Sequence, residues 1–213
     1  MYKRTPALIF DFGNVVAHFD YRRACETLGR RLGMPGDVFL DQVQRRGFSP
    51  LVARYESGQI DTETFSRSAC ALVDLELTPE EFAAAWSDIF RLNPPIATLI
   101  PSLKGRGYTL VLGSNTNDLH AAQFRRQFAE TLAHFDRLIL SYEIGHIKPN
   151  AAFYHACAEA AAVPPHACLF IDDLPENVEG ARAAGLSGLV YRDFPRLLDD
   201  LAALGVEVPR PHA

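Results

Sequence analysis

The first residue of this sequence equipped for chemistry is a carboxylate at the end of a buried strand. Asp11 ends the apolar run Ala7-Leu8-Ile9-Phe10 and is followed by Phe12-Gly13-Asn14-Val15. An Asp so placed could attack phosphorus and hold a metal ion at once, and Gly13 gives the backbone freedom to turn sharply. Alone it has a plain alternative, an Asp that starts a turn. Ser114-Asn115 offers a hydroxyl and an amide to phosphate oxygens near a helix N-terminus; the plain alternative is a helix cap at Ser114, Asn117 or Asp118. Lys148, ahead of Pro149, could neutralise a developing phosphoryl charge, although lysine is also the commonest kind of solvated residue. Asp172-Asp173 follows Cys168-Leu169-Phe170-Ile171. Two adjacent acids at the end of a buried strand are costly unless a cation offsets them. Asp173, with Glu176 three residues on, is also placed to cap the next helix, and Asn177 in its first turn could steady the acidic loop.

These residues need a scaffold that brings strand ends together. From about residue 97 onward, short aliphatic runs alternate with helical periodicity, the mark of βαβ units and an α/β fold with a parallel sheet. The strands expected are Ala7 to Phe10, Thr109 to Gly113, Arg137 to Ser141, Ala167 to Ile171 and Leu186 to Tyr191. Their continuous apolarity fits a sheet covered on both faces. Between them Phe153, Cys157, Ala160 and Ala161 make one helical stripe. Another helix starts near Pro175, turns Leu174, Val178 and Ala181 inward, and stops at Gly185.

Residues 18–95 read differently, with no strand-like run and several amphipathic helices. Phe65, Ala69, Leu72 and Val73 form one stripe, and Phe82, Trp86, Ile89 and Phe90 another, opened by the capping-box pattern Thr78-Pro79-Glu80-Glu81. Asn93-Pro94-Pro95 closes the segment. A helical insert of this kind would lie over the carboxyl ends of the strands, where α/β sheets bind ligands. The expected division is therefore a core of residues 1–17 and 96–213 with a helical cap of 18–95.

Taken together, Asp11, Ser114, Lys148 and Asp172-Asp173 resemble, in order and strand context, the four motifs of the haloacid dehalogenase superfamily. The resemblance spans nearly the whole chain. It implies a Rossmann-like core with an inserted helical cap, a phosphatase activity that passes through an aspartyl-phosphate, and Mg2+ as cofactor. It makes Asp11 the nucleophile and a metal ligand, the backbone carbonyl of Gly13 a second ligand, Asp172 the acidic ligand and Asp173 its support. Ser114 and Lys148 would hold the phosphoryl group, with Asn14 and Asn115 assisting at the substrate. The runs Asp11 to Val15 and Ser114 to Asn117 are similar to a subgroup that includes a sugar-1-phosphate phosphatase, so a sugar phosphate is one substrate expected by analogy.

One position departs from the family's pattern. Most phosphatases of the superfamily carry a second Asp two residues after the nucleophile as general acid for the leaving alcohol, and here that place is Gly13. The carbonyl ligand survives the change and the proton donor does not. Asp20 or His18, in the segment entering the cap, or a good leaving group on the substrate itself, is expected to make up the difference.

Composition bounds the other classes. The chain has 213 residues, 48% hydrophobic and 22% charged, with a net charge of -5 and no dense Lys/Arg run. That leaves no electrostatic footprint for nucleic acid or an anionic membrane and makes a small phosphorylated molecule the expected partner. The N-terminal run Met1-Tyr2-Lys3-Arg4-Thr5-Pro6 leads into a stretch too short for a signal peptide or membrane span, so a cytoplasmic protein is expected. Cys25, Cys70, Cys157 and Cys168 show no metal or disulfide spacing, and His18, His120, His134, His146, His155, His166 and His212 are scattered; apart from His18 they read as structural or surface residues. Two other readings stay open: a metal-independent haloacid dehalogenase, for which the acidic pair has no use, and a phosphate-binding regulatory module that lost turnover with the change at Gly13. A phosphorylatable receiver domain fits poorly, because there the acidic pair comes early and Lys-Pro last. Oligomeric state is left open.

Overall fold

The computed structural model describes residues 7–208; the run Met1 to Pro6 and His212 lie outside them. The chain starts with β1 (Ala7–Phe10) and β2 (Ala17–Phe19). Five helices follow: α1 (Tyr21–Arg31), α2 (Gly36–Arg45), α3 (Phe48–Glu56), α4 (Thr62–Ala71) and α5 (Pro79–Ser87). After β3 (Phe90–Leu92) the order is α6 (Pro94–Gly105), β4 (Leu110–Ser114), α7 (Asp118–Gln127), α8 (Ala129–Leu132), β5 (Arg137–Leu140) and α9 (Ser141–Ile144). It ends with α10 (Ala151–Ala160), β6 (Cys168–Asp172), α11 (Pro175–Ala183), β7 (Ser187–Val190) and α12 (Phe194–Ala203).

Five strands make one parallel sheet in the order β5-β4-β1-β6-β7. Side chains alternate between its faces. Leu8, Phe10, Leu110, Leu112, Leu169 and Ile171 pack on one side against Ile96, Leu99 and Ile100 of α6, Phe124 of α7 and Leu197 and Leu201 of α12. Ile9, Val111 and Phe170 face the other way, onto Phe153 and Cys157 of α10 and Ala181 of α11. Both faces are covered, which is why β1, β4 and β6 are wholly buried and carry no polar side chain before the Ser114 and Asp172 that end β4 and β6. The α/β, Rossmann-like sheet expected from the sequence is present, with no strand limit shifted by more than one residue. All four cysteines are free thiols.

Between β2 and β3 the helical block has its own apolar interior. Ala24, Tyr55, Phe65, Phe82, Trp86 and Ile89 form one cluster, and Cys25, Leu28, Phe39, Val43, Val73 and Leu75 another. Its helix starts are written locally. Asp20 caps α1, Asp61 caps α4, and Thr78 with Glu81 closes the expected capping box on α5.

Three readings of the sequence need correction. The segment is not free of strand: β2 and β3 pair antiparallel, Ala17 with Leu92 and Phe19 with Phe90, and form the two-stranded stalk on which the block stands. Strands of three residues carry too little periodicity to be seen in sequence. Leu174 does not turn inward but is exposed beside the site, while Val178 and Ala181 are buried as expected. Asp173 does not cap α11, whose cap residue is Leu174 with no side-chain bond; the Leu174 N–H goes to Asp172 instead.

Buried Asn93 ties the stalk to the core. Its backbone N–H donates to the Val16 carbonyl, and its side-chain amide donates to the Val15 carbonyl at 2.8 Å and to the Tyr191 hydroxyl at 3.1 Å. Asn93→Ala leaves the Val15 carbonyl without this partner, so a loss of about 1–3 kcal/mol is expected, seen as a lower urea midpoint with an unchanged m-value. An unchanged midpoint would show that water replaces the amide at no cost.

Candidate active site

β4, β1 and β6 are neighbours in the sheet, so residues at their carboxyl ends meet in space. Ser114 ends β4, Asp11 follows β1 and Asp172 ends β6. Asp11, Asp172 and Asp173 each offer a carboxylate oxygen within 4.8 Å of the others. Lys148 enters from the loop between α9 and α10, and its ammonium donates to Asp11 Oδ1 at 2.6 Å, to Asp172 Oδ2 at 2.7 Å and to the Gly113 carbonyl at 3.3 Å. Lys148, Asp11 and Asp172 are buried, and Asp173 is partly exposed. The Phe153 and Phe170 rings lie 5.8 and 5.5 Å from the ammonium.

The remaining expected residues hold this group together. The Asn177 amide donates to both oxygens of Asp172 at 3.1 Å, the Asn14 amide to Asp173 at 3.1 Å. Asn115 uses both ends of its amide on the backbone of Lys148, accepting from its N–H at 2.8 Å and donating to its carbonyl at 3.2 Å. It therefore positions the lysine, and the substrate contact expected of it is not the one this geometry favours. Ser114 is buried, its hydroxyl on the Asn115 carbonyl at 3.3 Å. The Gly13 carbonyl accepts no hydrogen bond from any described residue.

Above this floor a cavity of about 580 Å³ opens under the helical block, a size that suits a small-molecule ligand. Asp11, Gly13, Asn14, Ser114, Asn115, Lys148, Asp173 and Asn177 line its floor, and Tyr21, Phe39, Phe48, Val52, Phe82 and Trp86 are among the apolar walls. His18 and Asp20 line no part of it. His18 is exposed on β2, and the Asp20 carboxylate is spent on capping α1 and on Arg22, which holds its carboxyl below the usual range. A carboxylate that sequence reasoning passed over, Glu56 at the end of α3, does line the cavity. Nothing in the linear pattern distinguishes it from other helix-end acids. Gly13 is a close-packing position: a Cβ there would lie 2.9 Å from Cε1 of Phe19.

The family described as haloacid dehalogenase-like hydrolase matches residues 6–185. The chain belongs to that family. A phosphatase of Mycobacterium tuberculosis is 29% identical over 213 residues, covering 93% of this chain and 94% of its own. A D-ribitol-5-phosphate phosphatase of Bacteroides thetaiotaomicron is 27% identical over 186 residues, covering 84% and 87%. The magnesium complex of a haloacid dehalogenase family enzyme of Bacteroides thetaiotaomicron, BT-2542, superposes with a TM-score of 0.75 at 25% identity, over 92% of this chain and 99% of that one. A complex of the same enzyme with magnesium and inorganic phosphate gives 0.76 at 24% identity, over 90% and 98%. The family match makes this chain a haloacid dehalogenase-like hydrolase.

Burial raises the Asp11 carboxyl from its ordinary 3.8 to about 7; attraction by Lys148 opposes this, and repulsion by Asp172 adds to it. Between those values the folded chain keeps a proton that the unfolded chain has released, so this contribution to stability is present at low pH and is lost as pH rises through about 7. His120, held by burial at about 4, works in the opposite sense, losing stability as pH falls below about 6.5. Comparing Asp11→Asn with the wild type in EDTA isolates the Asp11 part. The variant's stability relative to wild type is expected to rise from about pH 5 to about pH 8, read from urea midpoints. A difference that stays constant with pH would contradict this account of the floor.

Proposed function

We propose that the protein is a magnesium-dependent phosphatase acting on a small phosphate monoester, with Asp11 as the nucleophile that carries the phosphoryl group. The observation that supports this most directly is the floor of the cavity, where one buried ammonium is shared by two of three clustered carboxylates.

The donor set fits the metal. Asp11, Asp172, Asp173 and the free carbonyl of Gly13 are all hard oxygen donors of the kind magnesium takes. Three carboxylates against one ammonium also leave two negative charges in excess, which a divalent cation balances. When bound, the ion polarises phosphoryl oxygens and offsets their charge. The chain's own residues do the rest. Asp11, at the carboxyl end of the central strand, presents a carboxylate oxygen to phosphorus, and Lys148 and the Ser114 hydroxyl hold the phosphoryl oxygens as charge builds on them. Asn115 and Asn177 act at one remove, fixing the Lys148 backbone and the Asp172 carboxylate. In this reading the block of residues 18–95 is the cap that keeps water from the site and contacts the alcohol part of the substrate.

The dehalogenase reading gives the acid pair no work, and the paired-acid floor therefore favours phosphoryl transfer. No described helix is long and apolar enough to cross a membrane, and the net charge of -5 argues against a nucleic-acid substrate. A sugar phosphate suits the relatives by name, but the walls formed by Phe39, Val43, Phe48, Val52, Phe82 and Trp86 offer the alcohol chiefly apolar surface. Esters with an apolar or aromatic alcohol are expected to show a lower KM than polyol phosphates of similar size.

A panel of phosphate monoesters assayed with magnesium and with EDTA tests both levels. Activity should require the metal and fall by about 10³-fold or more in Asp11→Asn. Folded wild-type protein that cleaves no ester, or cleaves equally well in EDTA, sinks the phosphatase reading. A polyol phosphate with the lowest KM of the panel overturns the substrate preference alone.

A further inference from the structure

Phosphate-ester cleavage needs a proton for the departing oxygen, and the segment after the nucleophile cannot supply it. The place beside Gly13 is filled by the Phe19 ring, 2.9 Å from where a Cβ would stand. Apart from the acids of the floor and Lys148, the titratable groups lining the cavity are Tyr21, Cys25, Glu56, Cys70 and His120. His120 is engaged at both ring nitrogens, with Asn117 at 3.0 Å and the Trp86 carbonyl at 3.1 Å. Burial pushes the Tyr21 hydroxyl and the thiols of Cys25 and Cys70 upward, making each a weaker acid than usual. Glu56 remains.

The fold holds Glu56 over the floor from two sides. Its neighbour Tyr55 donates its hydroxyl to the Asp118 carboxylate at the start of α7, just beyond Ser114-Asn115, and Asp118 also accepts from the Thr62 hydroxyl. On the other side Gly58, at φ +68°, lies so close to the core that a Cβ would strike the Tyr142 carbonyl at α9. The end of α3 is thus docked on the carboxyl edge of the sheet. The Glu56 carboxylate is half-buried and takes part in no hydrogen bond or ion pair with any described residue; the charge that acts on it is Lys148. An acid placed over a reactive floor, with no partner of its own, is available to a ligand.

We propose that Glu56 is the proton donor to the leaving oxygen of the phosphate ester, an inference that rests on the phosphatase reading above. As the bond from phosphorus to the leaving oxygen breaks and the bond from Asp11 to phosphorus forms, the carboxylic proton of Glu56 passes to that oxygen and an alcohol departs. Glu56 is then a carboxylate. It takes a proton from the water whose oxygen attacks phosphorus, the Asp11–phosphorus bond breaks, inorganic phosphate leaves, and both carboxyl groups return to their starting states. Burial raises the Glu56 carboxyl to about 7, with Lys148 pulling it back, so at neutral pH a substantial share carries the proton to be donated.

The experiment uses the full chain with magnesium and a series of aryl and alkyl phosphates whose leaving alcohols differ in acidity. The quantity read is kcat/KM, which reports the step in which the alcohol leaves. For Glu56→Gln the loss should be about 10²-fold to 10⁴-fold on alkyl phosphates and only a few-fold on 4-nitrophenyl phosphate, whose phenolate departs without help. The dependence on leaving-group acidity should therefore steepen, and this slope does not depend on the fraction of enzyme that is folded. Equal losses across the series would assign Glu56 to binding or structure, and no loss would leave it without a role; either overturns the proposal. Wild-type enzyme inactive on every ester while folded would instead overturn the phosphatase reading, and the role of Glu56 with it.

Discussion

The arrangement of the site turns on one ammonium. Lys148 is buried, and a buried charge is tolerable only with close partners and full hydrogen bonding. It has both, from Asp11, Asp172 and the Gly113 carbonyl. The dependence is mutual. Asp11 and Asp172 stand at the ends of adjacent strands, and without a cation between them their repulsion would add to the cost of burial already visible in the raised Asp11 carboxyl. Asn115 clamps the lysine's backbone from β4, Asn177 grips Asp172 from α11, and Asn14 holds Asp173. Each of these amides belongs to a loop or helix start at the same edge of the sheet, so the polar network also fixes how those loops leave the strands.

The helical block is part of the site and not merely its roof. It is joined to the sheet by the short stalk of β2 and β3, and Phe19, the last residue of β2, lies over Gly13 beside the nucleophile. An aspartate at that position and a phenylalanine at 19 would compete for one volume. The Tyr55–Asp118 bond and the contact of Gly58 with Tyr142 then bring α3, and with it Glu56, to the same edge.

How much of this is legible in the sequence follows from the range of the interactions involved. The five parallel strands are visible because burial on both faces makes each an unbroken apolar run. The capping box at Thr78 and Glu81 is visible because its partners are three residues apart. The expected grouping of Asp11, Ser114, Lys148 and Asp172 could be read because each follows or precedes such an element. The stalk leaves no trace in the sequence because three-residue strands have no period to detect, and Leu174 reads as inward because helical periodicity extends one residue before the start of α11.

What the sequence by itself determined is therefore local and periodic: the strands, the helices, their caps, and which chemistry-bearing residues stand at strand ends. The tertiary structure decided the uses of those residues. It set Asn115 against the backbone of Lys148, left His18 in solvent, and brought Glu56 from α3 to the cavity. Those outcomes depend on how one element meets another across many tens of residues, and such meetings are settled by packing and by the need to partner buried charge, neither of which leaves a pattern along the chain.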